Sequence, residues 1–209
     1  MAEPRAITVY IDFKSPYAYL AKDPAYELAD EFEVRLDWLP YVLDIPSFLG
    51  SARLDESGRV IEENRNPHQW RRVKYSYMDC RRQARKRGLV IRGTTKIWDT
   101  STASAGMLWV KRQGETVLRR YLDMTFERFW NRELDIENPA VIETVLSETG
   151  ADTAGFAGYI AADGPQEVAR ISREAEEKGV FGVPSFIIDD ELFWGREHLP
   201  YIREMLSNS

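Results

Sequence analysis

The stretch Ile7-Thr-Val-Tyr-Ile-Asp-Phe-Lys-Ser-Pro-Tyr-Ala-Tyr-Leu-Ala21 decides how the rest of the chain is read. Ile7, Val9, Ile11 and Phe13 alternate with Thr8, Tyr10 and Asp12, the two-residue period of a strand. Ser15 then stands where a helix N-cap belongs. Pro16 takes the first helical position, where its missing N–H costs nothing. Tyr17, Leu20, Ala21, Pro24, Ala25, Leu28 and Phe32 share one helical face. A hydroxyl thus sits where a strand ends and a helix begins. Unpaired backbone N–H groups and the positive end of the helix dipole meet there, so a thiolate or other anion would be held well. Serine caps are also common in helices that do no chemistry, and the Ser-Pro pair alone favours that simpler role.

Working outward, Val34, Leu36 and Trp38 alternate with Arg35 and Asp37 in a second strand that ends at Pro40. Strand, helix and strand form a βαβ unit, which predicts parallel neighbours and a right-handed crossover. Residues 44–67 carry Pro46, Gly50, Gly58 and Pro67 among many charges and read as a long, partly ordered loop, a candidate lid or binding edge. Trp70, Val73, Tyr77, Cys80 and Ala84 then step by three and four along a helix stopped by Gly88. Its other faces carry Arg71, Arg72, Lys74, Arg81, Arg82, Arg85, Lys86 and Arg87, which suit a solvated face or, less commonly, an anion or RNA. Two helices follow over residues 100–131 with Gly114 between them. Asn138-Pro139 starts another, Asp152 opens a short one, and Asp163-Gly-Pro165 opens the last before Gly179. Strands return as a hairpin, Val183 to Ile188 and Leu192 to Trp194, and Leu199, Ile202 and Leu206 mark a final helix.

The composition narrows the function classes. The 209 residues are 44% hydrophobic and 30% charged, as in an ordinary globular protein. A net charge of −6 speaks against general nucleic-acid binding. Cys80 is the single cysteine and His68 and His198 are the only histidines, so neither a disulfide nor a Cys/His metal site is expected. Residues 1–6 lack the apolar run of a signal peptide, the chain ends Ser207-Asn208-Ser209 with no peroxisomal address, and no apolar stretch would span a bilayer. The expectation is a cytoplasmic protein with no membrane or nucleic-acid partner.

The order β-α-β, helical insertion, β-β-α is that of a thioredoxin-like fold with an inserted all-helical domain. Residues 1–43 and 180–209 would form the discontinuous thioredoxin-like part, and residues 44–179 the inserted loop and helices. Three motifs make a more specific likeness: Asp12-Phe-Lys-Ser-Pro-Tyr-Ala-Tyr-Leu-Ala21; Asn66-Pro67 with Tyr75, Asp79 and Arg82; and Phe181-Gly-Val-Pro-Ser-Phe186 with Phe193-Trp-Gly195. Together they resemble the 2-hydroxychromene-2-carboxylate isomerases, a family grouped with the kappa-class glutathione transferases and, more distantly, with the DsbA-type disulfide oxidoreductases. By that resemblance Ser15 and Ala18 stand where the oxidoreductases carry two cysteines. Without either sulfur, dithiol exchange has no chemistry at this place.

The resemblance further implies glutathione as the cofactor, its sulfur held by Ser15 and its cysteinyl backbone paired with Val183 ahead of a cis-Pro184. Glu197 would meet the γ-glutamyl ammonium, although the family shows Trp-Gly-x-Asp-Arg where this chain has Trp194-Gly-Arg-Glu-His198. Asn64 and Asn66 are candidates for a polar contact or, equally, for turn residues. Lys14 could help stabilise the thiolate or be surface charge. Trp38, Tyr41 and Tyr75 are candidate pocket walls or core. The implied activity is glutathione-dependent isomerisation of a small aromatic carboxylate, in a homodimer. The alternatives are a kappa-like transferase acting on another electrophile and a non-redox thiol- or peptide-binding protein of the same fold.

Overall fold

A computed structural model describes residues 5–208. Met1–Pro4 and Ser209 lie outside the described residues, and with them most of the signal-peptide reading and the last residue of the tail.

The opening stretch folds as strand β1 (Ala6–Ile11), a tight turn, and helix α1 (Pro16–Phe32). The strand ends two residues earlier than its alternation predicts, because Asp12 and Phe13 already lead into the turn. Strand β2 (Arg35–Pro40) runs parallel to β1, with Val9 opposite Trp38, as the βαβ pattern predicts. Near the C-terminus β5 (Ser185–Ile188) and β6 (Glu191–Trp194) form the expected hairpin. Its two-residue turn places Asp189 and Asp190 at φ 50° and 64°, the left-handed pair that matches strand twist. β5 pairs antiparallel with β1, so the sheet order is β2-β1-β5-β6 and β1 is covered on both edges.

Residues 44–67 are more ordered than their composition predicts. They form a short helix α2 (Ile45–Leu49) and a hairpin of β3 (Ala52–Leu54) and β4 (Val60–Glu63). These strands are short, largely exposed and shifted in register, so no two-residue period shows in the sequence. The turn is held by Asp55, whose carboxylate accepts from the Arg59 N–H and the Ser57 hydroxyl, and by Gly58 at φ 82°.

Helix α3 (Pro67–Lys86) starts at a complete capping box: the Asn66 side chain accepts from Gln69 N–H, and Gln69 returns the bond to Asn66 N–H. Helices α4 (Ser101–Lys111), α5 (Glu115–Trp130), α6 (Pro139–Glu148), α7 (Phe156–Ala161) and α8 (Asp163–Glu177) follow. The short helix begins at Phe156. Asp152 makes a turn ahead of it, its carboxylate accepting from Ala154 N–H and its carbonyl from Trp109 Nε1. After a 3-10 turn at Arg196–His198, helix α9 (Leu199–Ser207) packs on α1, which also meets α3. Helix α4 packs against α5 to α8, and both α4 and α8 reach β2.

Aromatic packing fixes the strand–helix junction. Phe13 lies 4.9 Å from Phe126, and Tyr19 stacks on the same ring at 5.3 Å. All three are buried, so the turn before α1 is clamped against α5. Gly106 on α4 leaves room for Tyr121, whose hydroxyl donates to the Ala103 carbonyl at 2.8 Å.

Candidate active site

Everything at the start of α1 follows from two side chains, Ser15 and Asp12. Ser15 caps the helix with an extended backbone, φ −90° and ψ 113°. Its oxygen accepts from Ala18 N–H at 3.2 Å, and its hydroxyl makes a long 3.4 Å bond to the Val183 carbonyl. It is 5% exposed. Asp12, almost wholly buried, has both oxygens occupied. Oδ1 accepts from Lys14 N–H at 3.1 Å and Thr100 Oγ1 at 2.6 Å; Oδ2 accepts from Leu43 N–H at 2.7 Å and faces Lys14 Nζ at 2.7 Å. Lys14 Nζ also donates to Thr100 Oγ1 at 3.1 Å.

Two consequences follow. Lys14 is no surface charge: it is one half of a buried ion pair, satisfied on several sides as such pairs must be. Asp12 accepts nothing from Ser15, and among the described residues no other carboxylate or imidazole bonds that hydroxyl. Ser15 therefore lacks the base that a serine nucleophile needs.

The hairpin brings the second half. The Val183–Pro184 peptide is cis, and Pro184 is buried with its carbonyl accepting from Gly195 N–H at 2.9 Å. Val183 is nearly buried, and its N–H has no partner among the described residues. Gly182 stands under Trp194, whose Nε1 would lie 2.6 Å from a Cβ there. Trp194 in turn packs on Phe181 with ring centroids 4.8 Å apart, and both rings are about half exposed.

Lys14, Ser15, Tyr17, Gly182, Val183 and Trp194 open onto one cavity of about 870 Å³. Its apolar walls are Leu43, Ile45, Phe48, Leu49 and Leu54 from the α2–hairpin segment, Trp70, Val73 and Tyr77 from α3, and Ile97 and Trp98. Besides Lys14 it carries Arg65, Arg72, Lys74, Arg81, Lys96 and Arg132, and among the described residues no Asp or Glu lines it. The basic face of α3 is thus partly a cavity wall rather than wholly a solvated face.

The predicted residues divide. Ser15, Lys14 and Val183 are together in the cavity, and Pro184 sits directly behind Val183. The others are elsewhere. Asn64 accepts from Ser51 N–H at 2.5 Å and closes the base of the small hairpin. Asn66 is committed to the capping box. Glu197 is exposed in the 3-10 turn, outside the cavity lining, with its carboxylate folded over Gly195. Trp38 is buried against Tyr26 at 5.2 Å, and the Tyr41 hydroxyl bonds Glu176 at 3.4 Å; both point into packing layers around the sheet and away from the cavity. Tyr75 is 58% exposed. It lies two residues from both Val73 and Tyr77, and i, i+2 positions do not share a helix face. Trp38, Tyr41 and Tyr75 are therefore not pocket walls.

Cys80 is fully buried on the inner face of α3, and burial pushes its thiol up to about 12, a protonated, inert sulfur. Burial likewise raises the Tyr17 phenol, helped by Cys80 and by Asp79, to which its hydroxyl donates at 3.2 Å. Among the described residues no cluster of His, Cys, Asp or Glu could hold a metal, and no helix is long and apolar enough to cross a membrane. The sequence reading missed the Phe181–Trp194 lip, Thr100, Thr94 and Arg132. They lie in loops or at the ends of strands and helices, where no periodicity announces a side chain's direction.

The DSBA-like thioredoxin domain model matches residues 6–207. The chain is 22% identical over 204 residues to a 2-hydroxychromene-2-carboxylate isomerase of Sphingobium xenophagum, spanning 97% of this chain and 98% of that one. Its fold superposes on a solved 2-hydroxychromene-2-carboxylate isomerase with a TM-score of 0.73 at 20% identity, covering 97% and 95% of the two chains. It also superposes on the cytosolic disulfide reductase DsbM of Pseudomonas aeruginosa, solved with GSH, with a TM-score of 0.61 at 15% identity, covering 97% and 98%. With a match that runs from the first strand to the last helix, the chain belongs to the DSBA-like thioredoxin domain family.

Proposed function

We propose that this protein is a glutathione-dependent isomerase of 2-hydroxychromene-2-carboxylate or a closely related product of aromatic ring opening. The observation that carries the reading is the cavity itself: a capped helix N-terminus with no sulfur and no base, facing a backbone N–H without a partner, under walls that are aromatic, apolar and cationic. The relatives named for this isomerisation match nearly the whole chain. A structural neighbour solved with GSH shares the fold.

The residues present fit glutathione. The Val183 N–H and C=O offer a short strand-like pairing to a peptide. The Ser15 hydroxyl can give up its long bond to Val183 and donate to a sulfur anion, and the N-terminus of α1 adds its dipole. Bound there, glutathione would supply a nucleophilic sulfur, the chemistry that reversible addition to a conjugated double bond requires. The chain's part is to hold that sulfur ionised, to orient the substrate against it and to keep water out. Moving a thiol pKa down by about two units is worth about 2.7 kcal/mol, within reach of a charge-assisted hydrogen bond and a helix terminus together. Lys14 supports the turn and not a free charge, because Asp12 already neutralises it.

Ser15 and Ala18 leave the site without dithiol chemistry, so this reading excludes oxidoreductase turnover. The test has two arms: calorimetric titration with glutathione, and absorbance monitoring of the interconversion of the chromene carboxylate with its ring-opened isomer. Isomerisation that needs glutathione supports the reading. Glutathione binding with turnover only of an unrelated electrophile makes the protein a kappa-like transferase. Binding with no turnover of either leaves a non-redox thiol-binding module.

A further inference from the structure

We infer that Arg81 and Arg132 form a carboxylate-binding subsite in the wall of the cavity, which selects anionic aromatic substrates. The inference rests on the isomerase reading for the identity of the substrate, though not for the existence of the subsite. Arg81 comes from α3. Arg132 comes from the turn after α5, at φ 61°. Each is anchored by Nε alone, Arg81 to the Ile91 carbonyl at 3.0 Å and Arg132 to the Gly93 carbonyl at 2.5 Å. Arg81 also lies over the Tyr77 ring at 5.4 Å. Anchoring through Nε fixes both planar forks, and among the described residues their terminal nitrogens have no acceptor.

Those nitrogens converge. A Cβ on Gly93 would sit 3.2 Å from Arg81 Nη2 and 3.9 Å from Arg132 Nη2, so both guanidinium groups lie over the same point of the loop. Lys96, by contrast, is paired with Glu137 at 2.5 Å, and Lys14 with Asp12. Beside the two arginines the Tyr77 and Thr94 hydroxyls stand 3.2 Å apart and add neutral hydrogen-bonding groups. Two fixed cations with no carboxylate between them repel each other in a partly apolar cavity, and a bound anion relieves that repulsion. The planar guanidinium fork matches a carboxylate, which makes an aromatic or conjugated acid the fitting ligand class. Glutathione also carries carboxylates, and the inference commits to the substrate's.

The probe is 3-(2-hydroxyphenyl)propanoate, which has an aromatic ring and a carboxylate but no conjugated double bond for a thiol to attack. Its neutral partner is the corresponding amide. Quenching of tryptophan fluorescence reports binding, since Trp70 and Trp98 line the cavity. The wild-type protein is expected to bind the acid at least about tenfold more tightly than the amide, the scale of a charge-assisted hydrogen bond. Arg81→Gln and Arg132→Gln should each abolish most of that preference, and Arg81→Lys should restore part of it. Glutathione affinity should be unchanged in all three.

Equal binding of acid and amide by the wild type overturns the inference without any variant. Retained preference in both glutamine variants overturns it too, as does a loss of glutathione affinity in place of acid affinity. If the preference is lost as expected and yet no chromene carboxylate is isomerised, the subsite stands and the isomerase reading fails. If isomerisation is found but KM for the acid is unmoved in the glutamine variants, the isomerase reading stands and the subsite fails.

Discussion

Ser15 is where one side chain does most. It closes the first turn of α1 and faces the Val183 carbonyl, with no base to activate it. Ser15→Ala should lower stability by about 1 kcal/mol through the lost cap. In the proposed reaction it should leave glutathione binding in place, raise the pKa of the bound thiol and slow turnover. Ultraviolet titration of the thiolate in wild type and variant checks this, and an unchanged pKa removes Ser15 from the chemistry. Cys80 gives a second, independent expectation. Burial raises its thiol to about 12, so the folded chain holds that proton more tightly than the unfolded chain does. The associated stability is complete below about pH 8.5, the ordinary thiol value, and is lost as pH rises through 12. Urea unfolding should therefore decline less steeply with pH, between about 9 and 12, in Cys80→Ala than in wild type.

Secondary elements show which parts of the molecule sequence alone can disclose. The stretch 7–21 was legible because its signals agree: a two-residue period, then Ser-Pro, then a helical stripe. Asn66 shows the opposite case. Asparagine before proline suits a polar contact or a turn residue equally, and the reciprocal bonds with Gln69 show that its side chain is spent on the helix cap. Asn66→Ala should lower the unfolding free energy by about 1 kcal/mol while leaving glutathione affinity unchanged. Denaturant titration and calorimetry on one sample decide it. The aromatic candidates failed for a related reason. Trp38 and Tyr41 flank the end of a parallel strand whose two faces are both covered, so apolar character says nothing about which layer a ring enters. The α2–hairpin segment lacked any period, yet it supplies much of the apolar wall of the cavity.

At the scale of the whole molecule, Asp12 joins parts that no local signal connects. Its carboxylate holds Lys14 in the turn, Leu43 N–H after β2 and Thr100 at the head of α4. Asp12→Ala leaves a buried ammonium without its counter-ion and should cost about 3–5 kcal/mol. The midpoint of a urea transition, compared with Lys14→Met and the double variant, checks it: the two losses should not add. Sequence revealed neither the pairing nor its reach, since 88 residues separate Asp12 from Thr100.

The contact between Ser15 and Val183 closes a separation of 168 residues, and β1 is flanked on that edge only by β5. During synthesis at roughly 5–20 residues per second, about ten to thirty seconds pass between the emergence of the first and the appearance of the second. Until residues 185–187 are available, the edge of β1 that β5 covers has no strand to pair with, and an open edge is a template for unwanted pairing. A ribosome that stalls within the helical block leaves this edge bare, whereas completion of the hairpin covers the edge and creates the binding site in one event. The segment that covers the open edge of β1 and the segment that completes the site at Ser15 are therefore one and the same, the stretch from Val183 into β5.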